Sequence, residues 1–128
     1  MNDSEQTPNL AGLRILVVED EAPIALQIED MLTELGGAVV GPASRVGQAL
    51  GLLEGHAVDA AVLDLNIAGE LVYPVADALE KRGLPYIFVT GYGASGLAEP
   101  YRSQPVLEKP FRRRELLEAL LGGLQRAK

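Results

Sequence analysis

The sequence predicts an α/β fold, a doubly wound five-stranded parallel sheet with helices on both faces. Three observations carry this. Apolar runs at residues 13–18, 38–42, 58–63, 85–89 and 105–108 alternate with stretches of helical periodicity, the pattern of repeated βαβ units. The third run, Val58 to Leu63, contains the unbroken apolar stretch Ala60-Ala61-Val62-Leu63, as in a strand buried on both faces. Four of the runs stop at a polar or charged residue: Glu19, Asp64, Thr90 and Lys109. Carboxyl ends of strands are where open α/β sheets bind ligands.

Each element has its own signal. Leu13-Arg14-Ile15-Leu16-Val17-Val18 is β-branched and apolar, a first strand. Pro23 suits the opening turn of a helix, along which Ile24, Ile28, Met31, Leu32 and Leu35 form one apolar face until Gly36-Gly37 stops it. Ala38 to Pro42 is a short second strand, and Ser44 is the expected N-cap of a helix carrying Val46, Ala49, Leu50 and Leu53. After the third strand comes a loop with Asn66 and Gly69, then a helix expected over Leu71 to Arg82 with Gly83 as its stop. Pro85 to Val89 is the fourth strand. Residues 94–104 hold Gly96 and Pro100 with little periodicity, so the fourth helix is expected to be weak or mobile. Pro105 to Glu108 is the fifth strand. A last helix from about Arg112 carries Leu117, Leu120, Leu121 and Leu124, with Gly122-Gly123 expected to fray its end.

Composition narrows the function. A chain of 128 residues, 48% hydrophobic, fits one domain of ordinary core size. The stretch Met1 to Asn9 is polar and acidic, and residues 1–12 read as a flexible N-terminal tail ahead of a domain over 13–128. No cysteine is present, which suits a reducing, cytoplasmic setting. No apolar run is long enough for a membrane span. A net charge of −7 and a pI near 4.6 argue against direct nucleic-acid binding. Arg112-Arg113-Arg114, the one basic run, reads as a solvated first helical turn, and His56 as an exposed loop residue.

The strand ends carry the chemistry. With the flavodoxin-like order 2-1-3-4-5, the first and third strands are neighbours about 4.8 Å apart, which sets Glu19 and Asp20 beside Asp64. Carboxylates that close raise one another's pKa unless a cation intervenes. A hard, oxygen-loving ion such as Mg²⁺ fits such a set, and Asn66 could add its carbonyl or amide. Thr90 offers a hydroxyl, and Gly91 leaves room beside the backbone. Lys109 lies roughly 10 Å from Asp64, within reach of an extended side chain. Together these groups describe a site that would hold a phosphoryl group on Asp64, with the aspartate as nucleophile.

Ile15-Leu16-Val17-Val18-Glu19-Asp20-Glu21, Leu63-Asp64-Leu65-Asn66, Thr90-Gly91 and Lys109-Pro110-Phe111 resemble the receiver domain of response regulators in two-component signalling. The resemblance covers roughly residues 13 to 126. It implies phosphotransfer to Asp64 from a histidine kinase or histidine phosphotransfer protein. It also implies Mg²⁺ held by Asp20, Asp64 and the Asn66 carbonyl, with Glu19 acting through water. Thr90 and Lys109, with Asn66 and Gly91, would bind phosphoryl oxygens, and the Lys109-Pro110 bond is expected to be cis. The family's usual switch aromatic falls here at Val106, so the ordinary Thr-Tyr switch cannot operate. Pro85 to Gly93 instead resembles the FATGUY group of single-domain response regulators, departing from its motif at Tyr86 and Val89. That resemblance implies kinases of the HWE or related type and makes Tyr92, with Thr90, the candidate switch.

The expectation is therefore a stand-alone phosphoacceptor, not an enzyme beyond its own phosphorylation and slow dephosphorylation. It would have no output domain and would signal by binding a downstream protein. Alternatives are a phosphate sink or relay carrier, and a non-phosphorylated interaction domain. A haloacid-dehalogenase-like phosphatase is disfavoured, because its second acid would stand at Asn66.

Overall fold

The computed structural model of the chain describes residues 9–91 and 97–127. In chain order the elements are β1 (Arg14–Val18), α1 (Ala22–Glu34), β2 (Ala38–Ala43), α2 (Val46–Gly55), β3 (Ala60–Asp64), a hairpin of β4 (Asn66–Ile67) and β5 (Glu70–Leu71), α3 (Tyr73–Lys81), β6 (Tyr86–Thr90), β7 (Val106–Glu108) and α4 (Arg113–Ala127). Five parallel strands form the sheet in the order β2-β1-β3-β6-β7, which is 2-1-3-4-5 when its strands are counted along the chain. The doubly wound expectation holds.

Alternation along the strands divides the core in two. Leu16, Val18, Ala61, Leu63 and Phe88 face α2 and α3, packing with Leu53, Ala76 and Leu79. Ile15, Val17, Ala60, Val62, Ile87 and Val89 face the other way, against Ile28 and Leu32 of α1 and Leu116 and Leu120 of α4. Val18 pairs with Leu63, Asp64 with Val89 and Thr90 with Glu108, so the carboxyl ends of β1, β3 and β6 finish nearly level.

Several boundaries differ from those the sequence suggests. Leu10 is fully buried with the α1/α4 layer, and its N–H donates to the Leu35 carbonyl at 2.8 Å. Leu10 is thus part of the packed core, ahead of the boundary expected at residue 13; one leucine among polar residues carries no periodicity to announce it. Ser44 is not the N-cap of α2. That place falls to Arg45, and the Gln48 side chain reaches back to accept the Ser44 N–H at 3.0 Å. α3 begins at Tyr73 because Leu71 is taken up in the hairpin opposite Asn66. α4 continues through Gly122-Gly123 to Ala127, where Leu120, Leu121 and Leu124 pack on the core and hold it. Between β6 and β7, the only helical turn among the described residues is a 3₁₀ turn, Glu99–Tyr101.

That turn is tied to one face of α3. Tyr73, Asp77 and Glu80 share this face at spacings of four and three. The Tyr73 hydroxyl accepts the Ala98 N–H at 2.7 Å, and its ring stacks on Tyr101 with centroids 4.1 Å apart. The Tyr101 hydroxyl donates to Asp77 Oδ1 at 2.5 Å, and this bond, with partial burial, pushes its pKa up to about 12. Phe88 meets both rings edge-on. Tyr101→Ala is expected to lower stability by about 2 kcal/mol in urea denaturation, and Tyr101→Phe, which keeps the stack, by about half as much. Equal losses would mean that the ring contributes nothing beyond its hydroxyl.

Candidate functional site

Asp64 closes β3, fully flanked by β1 and β6, which leaves it 7% exposed. It sits in a cleft of about 680 Å³ over the carboxyl ends of the strands, which Asp20, Asn66, Thr90, Gly91 and Lys109 also line. Six separately predicted residues thus meet at one place. Glu19, the seventh, directly follows β1 with its side chain sealed from solvent. Tyr92 lies outside the described residues.

Lys109 organises the charges. Its ammonium lies 2.9 Å from Glu19 Oε1, 3.4 Å from Asp64 Oδ2 and 3.7 Å from the exposed Glu21 Oε1. The Glu19 contact is an ion pair closed off from solvent on the Glu19 side. The lysine is held at its base by its own N–H, which donates to the Thr90 carbonyl at 2.8 Å across the β6–β7 edge. The Lys109-Pro110 peptide is cis, as is Gly41-Pro42. Glu19 is fixed in turn: its Oε2 accepts the Glu21 N–H at 3.1 Å, and its own N–H reaches the Ala43 carbonyl at 2.9 Å.

The acids outnumber the lysine. Glu19, Asp20 and Asp64 each offer an oxygen within 4.8 Å of one another. Burial first, then the neighbouring Glu19 carboxylate, push the Asp64 carboxyl from 3.8 to about 7, against the pull of Lys109. Burial opposes the charge on Lys109, but Glu19 and Asp64 outweigh it and hold its pKa above the usual lysine value. The two shifts agree. The cluster keeps its cation tightly and still carries more negative charge than it can solvate. An all-oxygen set short of positive charge fits Mg²⁺, the hard cation that receiver domains bind through acidic residues.

Two contributors had no clear sequence signal. Glu21 adds a third, exposed acid near Lys109. Ala68 donates its N–H to Asp20 Oδ2 at 3.0 Å, from the tip of the β4–β5 hairpin. The small pair Ala68-Gly69 after Asp64 is a turn signal that could have pointed to a hairpin, though not to its partner 48 residues away.

Such a cleft, at the switch point of a 2-1-3-4-5 sheet with an acid triad and a lysine, defines a class, and comparison agrees. Residues 15–121 match the response regulator receiver domain family, and the chain belongs to it. It is a receiver domain of two-component signalling. Among solved structures it is similar to SdrG of Sphingomonas melonis Fr1, at 39% identity and a TM-score of 0.79, covering 88% of this chain and 96% of that one. It also resembles the response regulator PhyR of Brucella abortus, at 28% identity and a TM-score of 0.77, covering 96% of this chain and 52% of that one. The transcriptional regulatory protein PdtaR of Mycobacterium tuberculosis is 30% identical over 111 residues, 84% of this chain. The chain spans about half the length of the curated relatives it matches, 54%. No helix among the described residues is long and apolar enough to cross a membrane.

Proposed function

We propose that the chain accepts a phosphoryl group on Asp64 from a histidine kinase or histidine phosphotransfer protein and signals by binding a further protein. The observation that carries this is the Lys109 ammonium 3.4 Å from Asp64 Oδ2, inside a cleft that also holds Thr90 and the acid triad. An Asp64 carboxylate oxygen attacks phosphorus as the bond to the donor's imidazole nitrogen breaks. The imidazole leaves, and an acyl phosphate remains on Asp64. Lys109, the Thr90 hydroxyl and the Gly91 and Asn66 region take the phosphoryl oxygens. Asp20, Asp64 and the Asn66 carbonyl would hold Mg²⁺, with Glu19 acting through water; the ion would supply charge neutralisation.

Output in this reading runs from Thr90 through residues 91–93 to the segment packed on α3, with Tyr92 as the switch aromatic. Val106 supplies no ring on β7 for that role, which supports membership of the FATGUY group and kinases of the HWE or related type. The domain works in the cytoplasm. It acts as a signalling protein and not as an enzyme on other substrates. A sink or relay role would use the same cleft and differ only in the acceptor.

The test is phosphotransfer from autophosphorylated HWE-type kinases. Label is expected to move to the wild-type chain within minutes in Mg²⁺ and not to Asp64→Ala. Transfer that survives the Asp64→Ala change would overturn the assignment.

A further inference from the structure

The hairpin that follows Asp64 is built around an uncommon backbone. Asn66 pairs with Leu71 and Ile67 with Glu70, and the two turn residues both have positive φ, 52° at Ala68 and 86° at Gly69. Successive left-handed residues are the mark of a tight type I′ turn, whose first position favours asparagine or glycine. Alanine is disfavoured there, because its Cβ crowds the following carbonyl. Ala68 is the one non-glycine residue with positive φ among the described residues.

The hairpin is anchored from below. Leu65, Ile67 and Val72 are buried in the α2/α3 layer, and the Val72 N–H donates to the Leu65 carbonyl at 3.0 Å. The tip is therefore held in place, and its Ala68 N–H meets Asp20 Oδ2. Asp20 is exposed and has no ion pair among the described residues. The tip amide is then the group that orients the one acid of the triad that burial does not fix. Engaging Oδ2 leaves the other oxygen for a cation. At negative φ the peptide would rotate and carry the N–H away.

We propose that Ala68 is a positioning residue: its left-handed main chain at the hairpin tip aims the Asp20 carboxylate for divalent-cation binding. This rests on the reading that the triad takes Mg²⁺. Mg²⁺ titrations of the full chain, followed by backbone amide NMR, separate the two. Ala68→Pro removes the N–H and forbids positive φ, and Ala68→Val keeps the N–H but resists positive φ. Each is expected to weaken Mg²⁺ binding about tenfold, as loss of a group supporting a metal ligand does. Ala68→Asn, which tolerates the left-handed region, is expected to recover wild-type affinity. In an Asp20→Ala background, Ala68→Val should have no further effect. Should the proline variant not fold, the valine and asparagine variants decide alone. Wild-type affinity in Ala68→Val, with its amide spectrum otherwise unchanged, would overturn the proposal. A wild-type chain that does not respond to Mg²⁺ would overturn the metal reading beneath it.

Discussion

Replacing Lys109 with alanine is expected to lower stability by about 3–5 kcal/mol at pH 8, the usual consequence of removing one partner of a buried ion pair. Glu19 has no exposed side-chain surface, and its Oε1 lies 2.9 Å from the ammonium. Without that cation a sealed carboxylate faces Asp64 with nothing to offset it. Asp64, with its carboxyl raised to about 7, is protonated at pH 5 and no longer repels it, so the loss should shrink there. Lys109→Arg keeps the charge and should lose less. Urea denaturation at both pH values measures this. A loss under about 1 kcal/mol at pH 8 would mean that Glu19 is solvated by some other group.

Asp64→Asn is expected to act in the opposite direction. The folded-state pKa of Asp64 is raised, from 3.8 to about 7, by burial and by Glu19. A carboxyl with a raised folded-state pKa stabilises the fold fully below pH 4, and that stabilisation is lost as pH rises through 7. A displacement of that size corresponds to roughly 4 kcal/mol. The metal-free wild type should therefore weaken between pH 4 and pH 8. Asp64→Asn lacks the carboxyl and should not share this decline, so it should be the more stable protein at pH 8 and close to wild type at pH 4. Mg²⁺ should stabilise the wild type at pH 8 and have little effect on Asp64→Asn. A wild-type stability that rises steadily from pH 4 to pH 8 would contradict the raised Asp64 value.

The same residues explain how much of the molecule was legible in the sequence. Alternating strand and helix signals are local, and together with the right-handed crossover they leave few topologies. Asp64, Thr90 and Lys109 stood out because each polar group ends an apolar run, and parallel strands gather such ends at one edge. The partnerships were less legible. Glu19 looked like an outer member of a metal site, yet its nearest charge is Lys109, a pairing that depends on depth beneath the cleft. The hairpin hid because two-residue strands are too short for periodicity, and Ala68 because alanine rarely takes a left-handed turn position. The Tyr73–Asp77–Glu80 face of α3 reads as an ordinary polar stripe until residues 98–104 are laid across it. Leu10 gave no pattern at all.

As the proposed phosphoacceptor, Asp64 would need a divalent cation and Lys109 for its chemistry. Intact-mass measurement after incubation with a small-molecule phosphodonor and Mg²⁺ tests this without any partner protein. A single phosphoryl adduct is predicted on the wild type, absent with chelator and absent in Asp64→Ala. An adduct of equal yield in Asp64→Ala, or no adduct on the wild type in Mg²⁺, would contradict it.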